Sequence, residues 1–383
     1  MNLKANALVI PLFLFLSLFM IFFLPLEKLH SIENDQYVSW GREIQDSGDI
    51  INDYLNSEFN KAIKSVNGGL LRHTCQWVTH RIGWRFARRP LVKTDIWADN
   101  NPDIDKFPLE RNDLRYDGIY RDIKKKRFTG RNINVSDINI GVDKLSHAIV
   151  MGYVYWVRYR MALKKYKRSH TPLEAEELAV KAAVRVGIWF ETKLSSMPSY
   201  SDLEANFQGF LLYKNLCNGP NRSLKWFGAK RWALTEPVNF KSIVNPYFNE
   251  IFNPSYHPKK EWSQVEPYLK EYCTSGQTKE RFEELARYQA IAKKTPMSFS
   301  MQYINSLIAK GTMPDPRPQR LDHYCLAQKG IAAFMPFYTG LNSALTSDHV
   351  QDFDSDFSDL EKDYIYQNDT LTLISKEDFE DEE

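Results

Sequence analysis

Cysteine is scarce, with four in 383 residues, and positions 75, 217, 273 and 325 lie too far apart for a C-x-x-C redox or zinc-ribbon pattern. The chain also lacks a glycine-rich phosphate loop, a G-x-S-x-G elbow and an H-E-x-x-H helix, so it carries no standard signature of nucleotide binding, serine hydrolysis or zinc proteolysis. No repeat of solenoid period is present. Net charge is nearly absent, 50 Lys and Arg against 48 Asp and Glu, which argues against a strongly basic nucleic-acid binder, and no nucleic-acid partner is expected. With 43% hydrophobic residues the chain can build a substantial core.

The balance conceals an asymmetry. From Asp348 to Glu383 fourteen acids face two bases, Lys362 and Lys376, so an acidic tail of −12 follows a body of +14. The composition of that tail predicts disorder.

One long hydrophobic run stands out. Ala7 to Leu26 is free of charge, and its twenty residues at about 1.5 Å each match about 30 Å of hydrocarbon. Its exit, Phe-Leu-Pro-Leu-Glu-Lys-Leu-His, has none of the small residues of a signal-peptidase site, so the run reads as an uncleaved anchor, the alternative being a secreted protein after cleavage. Lys4 and the amino terminus precede it, which orients a single inner-membrane span with the body outside the cytoplasm. The next best stretch, Ala148 to Ala162, is interrupted by Arg158 and Arg160. Export permits disulfides, yet four thiols allow three full pairings, and the sequence chooses neither among them nor against free thiols.

Helical spacing predicts helices over 31–66, about 71–89, Leu145 to about Lys165, Pro172 to Leu194, Ser201 to about Cys217, Lys279 to Lys294 and Met297 to Lys310. Thr171, Pro172 and Glu174 make a capping box for one of them, and Ser-Asp-Leu-Glu from Ser201 suggests a second. Residues 91–142 read as a long irregular segment, 218–275 as ordered loops and short helices, and 313–318 as a stiff proline-rich connector. The expected class is mainly α: an N-terminal membrane anchor, 1–30, followed by an irregular multi-helix bundle with long ordered loops. Its parts are N-terminal helices and a basic segment (31–142), a three-helix core (143–217), a C-terminal helical and loop lobe (218–345) and the acidic tail (346–383).

The core carries the chemistry-bearing residues. Asp143 and His147 are four apart, with Lys144 beside them; Glu191 interrupts an apolar surface, aligned with Val184, Gly187 and Ile188. In the third helix Asp202, Asn206, Gly209 and Tyr213 form a polar line, with a gap at Gly209 where another backbone can approach. Ordinary readings exist for each: Asp143 as a helix cap, Asp202 as a first-turn acid, Asn206 as a helix bridge, His147 as a satisfied core residue. As a set they point to convergence, because several buried carboxylates need a proton, a cation or a metal beside them.

The order Asp143-Lys144-x-x-His147, then Glu191, then Asp202-Leu-x-Ala-Asn206-x-x-Gly209 resembles the motif set of VanZ-like membrane proteins and small bacterial envelope lipoproteins of the YfiM kind. The resemblance covers about residues 140–216. It implies a bacterial envelope setting and a polar three-helix core, and brings no particular reaction.

Two weaker patterns complete the reading. Six bases and no acid lie between Arg72 and Lys93, with Trp77 and Trp84 among them, and eight bases against three acids between Arg111 and Arg131; outside the cytoplasm these suit anionic lipid or cell-wall polymer, or a solvated basic face. Asp99, Asn101, Asp103, Asp105 and Glu110, and again Asp352, Asp354, Asp356 and Asp363, fall on a calcium-loop template that lacks its glycine. His73, Cys75 and His80 do not share a helix face, so no metal is expected there.

The sequence thus predicts an anchored extracytoplasmic protein of binding or structural type with a polar pocket formed by His147, Glu191, Asp202 and Asn206, flanked by Asp143, Lys144, Gly209 and Tyr213. The alternative is a hydrolase or transferase acting on a lipid or cell-wall component. There Glu191 or His147 would be the base, and Asp143 or Asp202 would orient it or hold a divalent cation.

Overall fold

The computed structural model describes Ser39 and residues 42–67, 73–88, 93–107, 131–194, 197–219, 222–228, 231–274 and 278–328, all within one unit, His30–Asn342. The apolar run 7–26, the basic run 124–127, Glu110 and the acidic tail lie outside these residues. Among the described residues no helix is long and apolar enough to cross a membrane.

The fold is mainly helical. Helix α1, Gly48–Asn67, buries Ile51, Leu55, Phe59, Ala62, Ile63 and Val66. Residues 42–47, expected to be helical, are not: Asp46 forms an isolated bridge to Asn134, and its carboxylate accepts from the Gly48 N–H at 2.9 Å, turning the chain into the helix, while 31–38 lie outside the described residues. Helix α2, Cys75–Ala87, is capped by the Thr74 hydroxyl and buries Val78, Ile82 and Phe86.

The stretch expected to be irregular contains a helix, α3 (Lys93–Asn100), and a hairpin, β1 (Asn132–Val135) with β2 (Ile138–Gly141). Four-residue strands are too short to display a period. Ser136 and Asp137, at φ 53 and 63°, form the two-residue turn that closes a tight antiparallel hairpin. The hairpin is buried, and β2 runs by two residues into the first site residues.

The next three helices form the heart of the molecule. A short turn, Lys144–Ser146, widens into a π-helical turn, His147–Met151, and continues as α4, Gly152–Tyr166. Helix α5, Pro172–Trp189, has the full Thr171/Glu174 capping box and ends in a second π-helical turn, Phe190–Leu194. Helix α6 is Tyr200–Cys217, capped by Ser199 rather than Ser201. Glu204 is therefore not a capping-box partner: it is buried, accepting from Ser298, Gln208 and Asn245 at 2.5, 2.8 and 2.9 Å.

A second hairpin, β3 (Leu224–Phe227) with β4 (Arg231–Leu234), precedes two 3₁₀ turns, Phe240–Ser242 and Pro246–Phe248. Helix α7, Lys259–Thr274, is a long helix where loops and short helices were expected; Pro267 sits inside it, although Val265, Leu269 and Tyr272 follow helical spacing and are buried. Helices α8 (Thr278–Ala292), α9 (Phe299–Ala309) and α10 (Leu321–Gln328) complete the described chain. All four cysteines are paired, Cys75 with Cys217 and Cys273 with Cys325. The first pair ties α2 to the end of α6, and the second ties α7 to α10 beside the cluster of Met197, Ile251, Leu321 and Tyr324.

The calcium template at 99–110 is not arranged as a calcium loop. Asp99 receives Arg131 Nε at 2.8 Å, Asp105 accepts from the Gln45 N–H at 2.8 Å, and the Lys106 ammonium donates to the carbonyls of Ala98 and Asn101, so the carboxylates serve other partners. His73 and His80 flank Trp77 as stacked or tilted rings, and Cys75 is consumed by its disulfide.

Candidate functional site

The hairpin delivers Val142 and Asp143 to the start of the α4 segment, and α4 packs between α5 and α6. The closest approach is at Gly209: a Cβ there would lie 1.7 Å from the Ala148 carbonyl oxygen, so only glycine lets α6 cross the π turn at this depth. That crossing aligns Asp202 and Asn206 with Lys144 and His147. Tyr213, one turn beyond Gly209, donates to the Ile149 carbonyl at 2.9 Å. Gly209 and Tyr213 thus support the π turn.

Those groups form a closed cluster. Lys144 is completely buried, and its ammonium lies 2.7 Å from Asp143 Oδ2, 2.6 Å from Asp202 Oδ1 and 2.5 Å from Glu250 Oε1. Asp143 makes no capping bond to the helix; its carboxylate is directed to Lys144. His147 sets Nε2 3.2 Å from Asp202 Oδ2 and Nδ1 3.0 Å from Asn206 Oδ1. Both ring nitrogens face oxygens. Asn206 in turn donates to the Tyr155 hydroxyl at 3.5 Å.

Tyr155 fits because residue 187 is glycine: a Cβ there would lie 1.7 Å from the phenol oxygen. Burial holds this phenol well above its usual pKa, with the fields of Glu191, Asp202 and Glu204 adding to the effect. Glu191, fully buried in the second π turn, acts on the Tyr155 phenol through that field.

Protonation follows from the geometry. Burial alone would drive Lys144 toward the neutral amine, but Asp143, Asp202 and Glu250 outweigh it and hold the ammonium well above its ordinary range. Burial raises Asp143 despite the opposing pull of Lys144, and raises Glu250 to about 8. One turn away Asp95 accepts from the Ser146 N–H and hydroxyl at 2.9 and 2.5 Å, and burial raises it well above the carboxylate range. The interior therefore holds a surplus of carboxyl groups compensated by the Lys144 ammonium and bound protons.

Donor atoms of Asp143, His147 and Asp202 lie within 4.8 Å of one another, a spacing able to hold a cation. The Lys144 ammonium already bridges Asp143 and Asp202.

Sequence reasoning missed Glu250, Tyr155, Asp95 and Ser146. Tyr155 stands eight residues after His147 and was within reach of a periodicity argument. Glu250 lies in a loop held by Asn249, whose side chain accepts from the Ile251 and Phe252 N–H groups at 2.9 and 3.0 Å and donates to Asn139 O at 2.7 Å, and no local pattern announces it. Compared with known proteins, the chain matches no family model, no curated sequence and no solved structure.

Proposed function

We propose that this protein is a membrane-anchored extracytoplasmic component of a bacterial cell envelope, of binding or structural type, built around a polar three-helix core of the VanZ-like or YfiM-like kind. The observation that carries the reading is the complete burial of Lys144 inside a ring of Asp143, Asp202 and Glu250, because a charge centre compensated from within acts as a joint between elements. Two long-range disulfides support an oxidising compartment. The apolar segment 7–26 supplies the anchor, with the body on the outer side of the inner membrane and anionic lipid or cell-wall polymer as the partners within reach.

One observation favours the hydrolase or transferase reading. His147 and Glu191 both stand in π-helical turns, a feature over-represented at functional sites, and His147 is paired with Asp202 as a general base would be with its orienting carboxylate.

Glu191→Gln and His147→Gln in the full-length chain separate the readings. Complementation of a deletion strain and urea unfolding are measured on the same variants. In a structural joint, any loss of complementation follows loss of stability. A stably folded variant that fails to complement would refute a purely structural joint and leave a binding or catalytic pocket, which turnover of a lipid or cell-wall substrate by the native protein separates. Amino-terminal sequencing of the mature protein tests the anchor; a chain starting after residue 26 removes it.

A further inference from the structure

Two acid-free basic stretches far apart in sequence meet in the fold. Residues 72–93 contain six Lys or Arg, and residues 218–235 contain four. The Cys75–Cys217 disulfide joins the start of α2 to the end of α6, next to the second stretch. Asn67 grips β4 at both backbone groups of one residue, accepting from Trp232 N at 2.7 Å and donating to Trp232 O at 2.9 Å, and the Trp232 indole donates to His73 O at 3.2 Å. The β3–β4 hairpin is thus fixed at the entry to α2.

Helix α2 has two unlike faces. Val78, Ile82 and Phe86 enter the core, while Trp77, Arg81, Trp84 and Arg88 fall at i, i+4, i+7 and i+11 on the opposite side. Both arginines are exposed and both indoles half-buried; His80 lies between the indoles, at 5.4 Å from Trp77 and 6.3 Å from Trp84. On the hairpin, Phe227 is 42% exposed and pairs across the strands with exposed Arg231, while Trp226 packs edge-on against Trp232 at 5.6 Å.

Arg85 and Lys93 are paired with Glu58, at 2.8 and 3.8 Å, but Arg81, Arg88 and Arg231 are exposed, and exposed phenylalanine and half-buried indoles beside these arginines suit a specific medium. At a bilayer interface amphipathic rings lie at headgroup depth, and each nearby Lys or Arg is attracted by anionic lipid. A hydrated polyanion would reward the charges and leave the rings in water. We propose that the Trp77, Arg81, Trp84 and Arg88 stripe, together with the Phe227 end of the hairpin, docks on the headgroup layer of an anionic bilayer. This is separate from the anchor: an apolar segment inserts whatever the headgroup charge, whereas this surface requires anionic lipid.

The test uses the full-length chain with vesicles of brominated phosphatidylcholine, alone or with about 30% phosphatidylglycerol, at about 0.1 M salt. Tryptophan quenching is expected to be about twofold or more greater on the anionic vesicles, and to fall to the zwitterionic level at about 1 M salt, where the Debye length shrinks to about 3 Å. Phe227→Ala alone and the triple change Arg81→Gln, Arg88→Gln, Arg231→Gln, all at exposed positions, should each lower the anionic increment. Equal quenching on both vesicles overturns the proposal. So does an increment that disappears with the arginines but is untouched by Phe227→Ala, which would mark a polyanion site. Flotation on zwitterionic vesicles reads residues 7–26 alone, so its failure refutes the anchor and leaves the charge-dependent increment to decide the surface.

Discussion

Lys144→Met removes the ammonium at the centre of the cluster while nearly preserving side-chain length. The carboxylates of Asp143, Asp202 and Glu250, now 2.5 to 2.7 Å from that ammonium, would be left facing one another in the interior. Breaking a buried ion pair on one side costs about 3–5 kcal/mol when the abandoned charge stays charged. Here part of that cost is avoidable, because the abandoned groups take up protons.

The pH dependence makes the argument testable. Glu250 is raised in the folded state from 4.5 to about 8, so its contribution is fully present below about 4.5 and is lost as pH rises through about 8. Asp143 and Asp95, also raised, act in the same direction. Lys144 is raised above an already high value, so its own titration falls outside this window. The native protein should therefore lose stability between about pH 5 and pH 8.5. Without the ammonium the carboxyl groups move up further and the slope steepens. We expect Lys144→Met to cost roughly 1 kcal/mol at about pH 5 and roughly 3–4 kcal/mol at about pH 8. Urea unfolding of the full-length protein followed by circular dichroism at both pH values provides the measurement. A loss independent of pH, or below about 0.5 kcal/mol at both, would refute the picture of a resident cation holding a carboxylate surplus.

Gly209→Ala places a methyl group 1.7 Å from the Ala148 carbonyl oxygen, and because the obstacle is backbone the helices must separate; a loss of about 2–3 kcal/mol or more is expected in the same unfolding assay. Gly187→Ala should displace Tyr155 and cost about 1–3 kcal/mol, with the near-ultraviolet tyrosine signal altered. Replacing Cys75 and Cys217 by serine opens a link with a sequence separation of 142 and should cost about 5 kcal/mol, against about 4 kcal/mol for Cys273 and Cys325 at a separation of 52; urea midpoints of the two double variants check the order. Non-reducing peptide mapping that finds any other pairing would contradict the fold itself.

The helical skeleton was legible wherever the pattern was long. Thr171, Pro172 and Glu174 announce α5, and Asp202, Asn206, Gly209 and Tyr213 display the face of α6 that the structure buries. Short elements gave no such signal: a four-residue strand such as Ile138–Gly141 completes only two periods, and in α7 the local rule against proline was overridden by the burial of Val265, Leu269 and Tyr272. The cap of α6 was misplaced by two residues because Ser199 and Ser201 both precede acids at plausible spacing, and only the burial of Glu204 decides between them.

The convergence of Asp143, Lys144, His147, Asp202 and Asn206 could be anticipated because a helix face is a local property, but its closure could not. Three carboxylates around one ammonium require a residue from outside the three helices, and Glu250 arrives on a loop fixed by Asn249. The π turns are equally hidden, since a widened turn has the same composition as a regular one, yet each lies where a polar side chain is buried, at His147 and at Glu191. Inner acids on α4 to α6 and bases on α2 and the β3–β4 hairpin place opposite electrostatic demands on one fold. The first must be met by protons and Lys144 inside the protein, and the second can be met by anions outside it. A change of pH therefore acts on the interior while salt acts on the surface, so the Lys144→Met slope with pH and the Arg81, Arg88 and Arg231 dependence on salt should vary independently when both are measured on the same preparations.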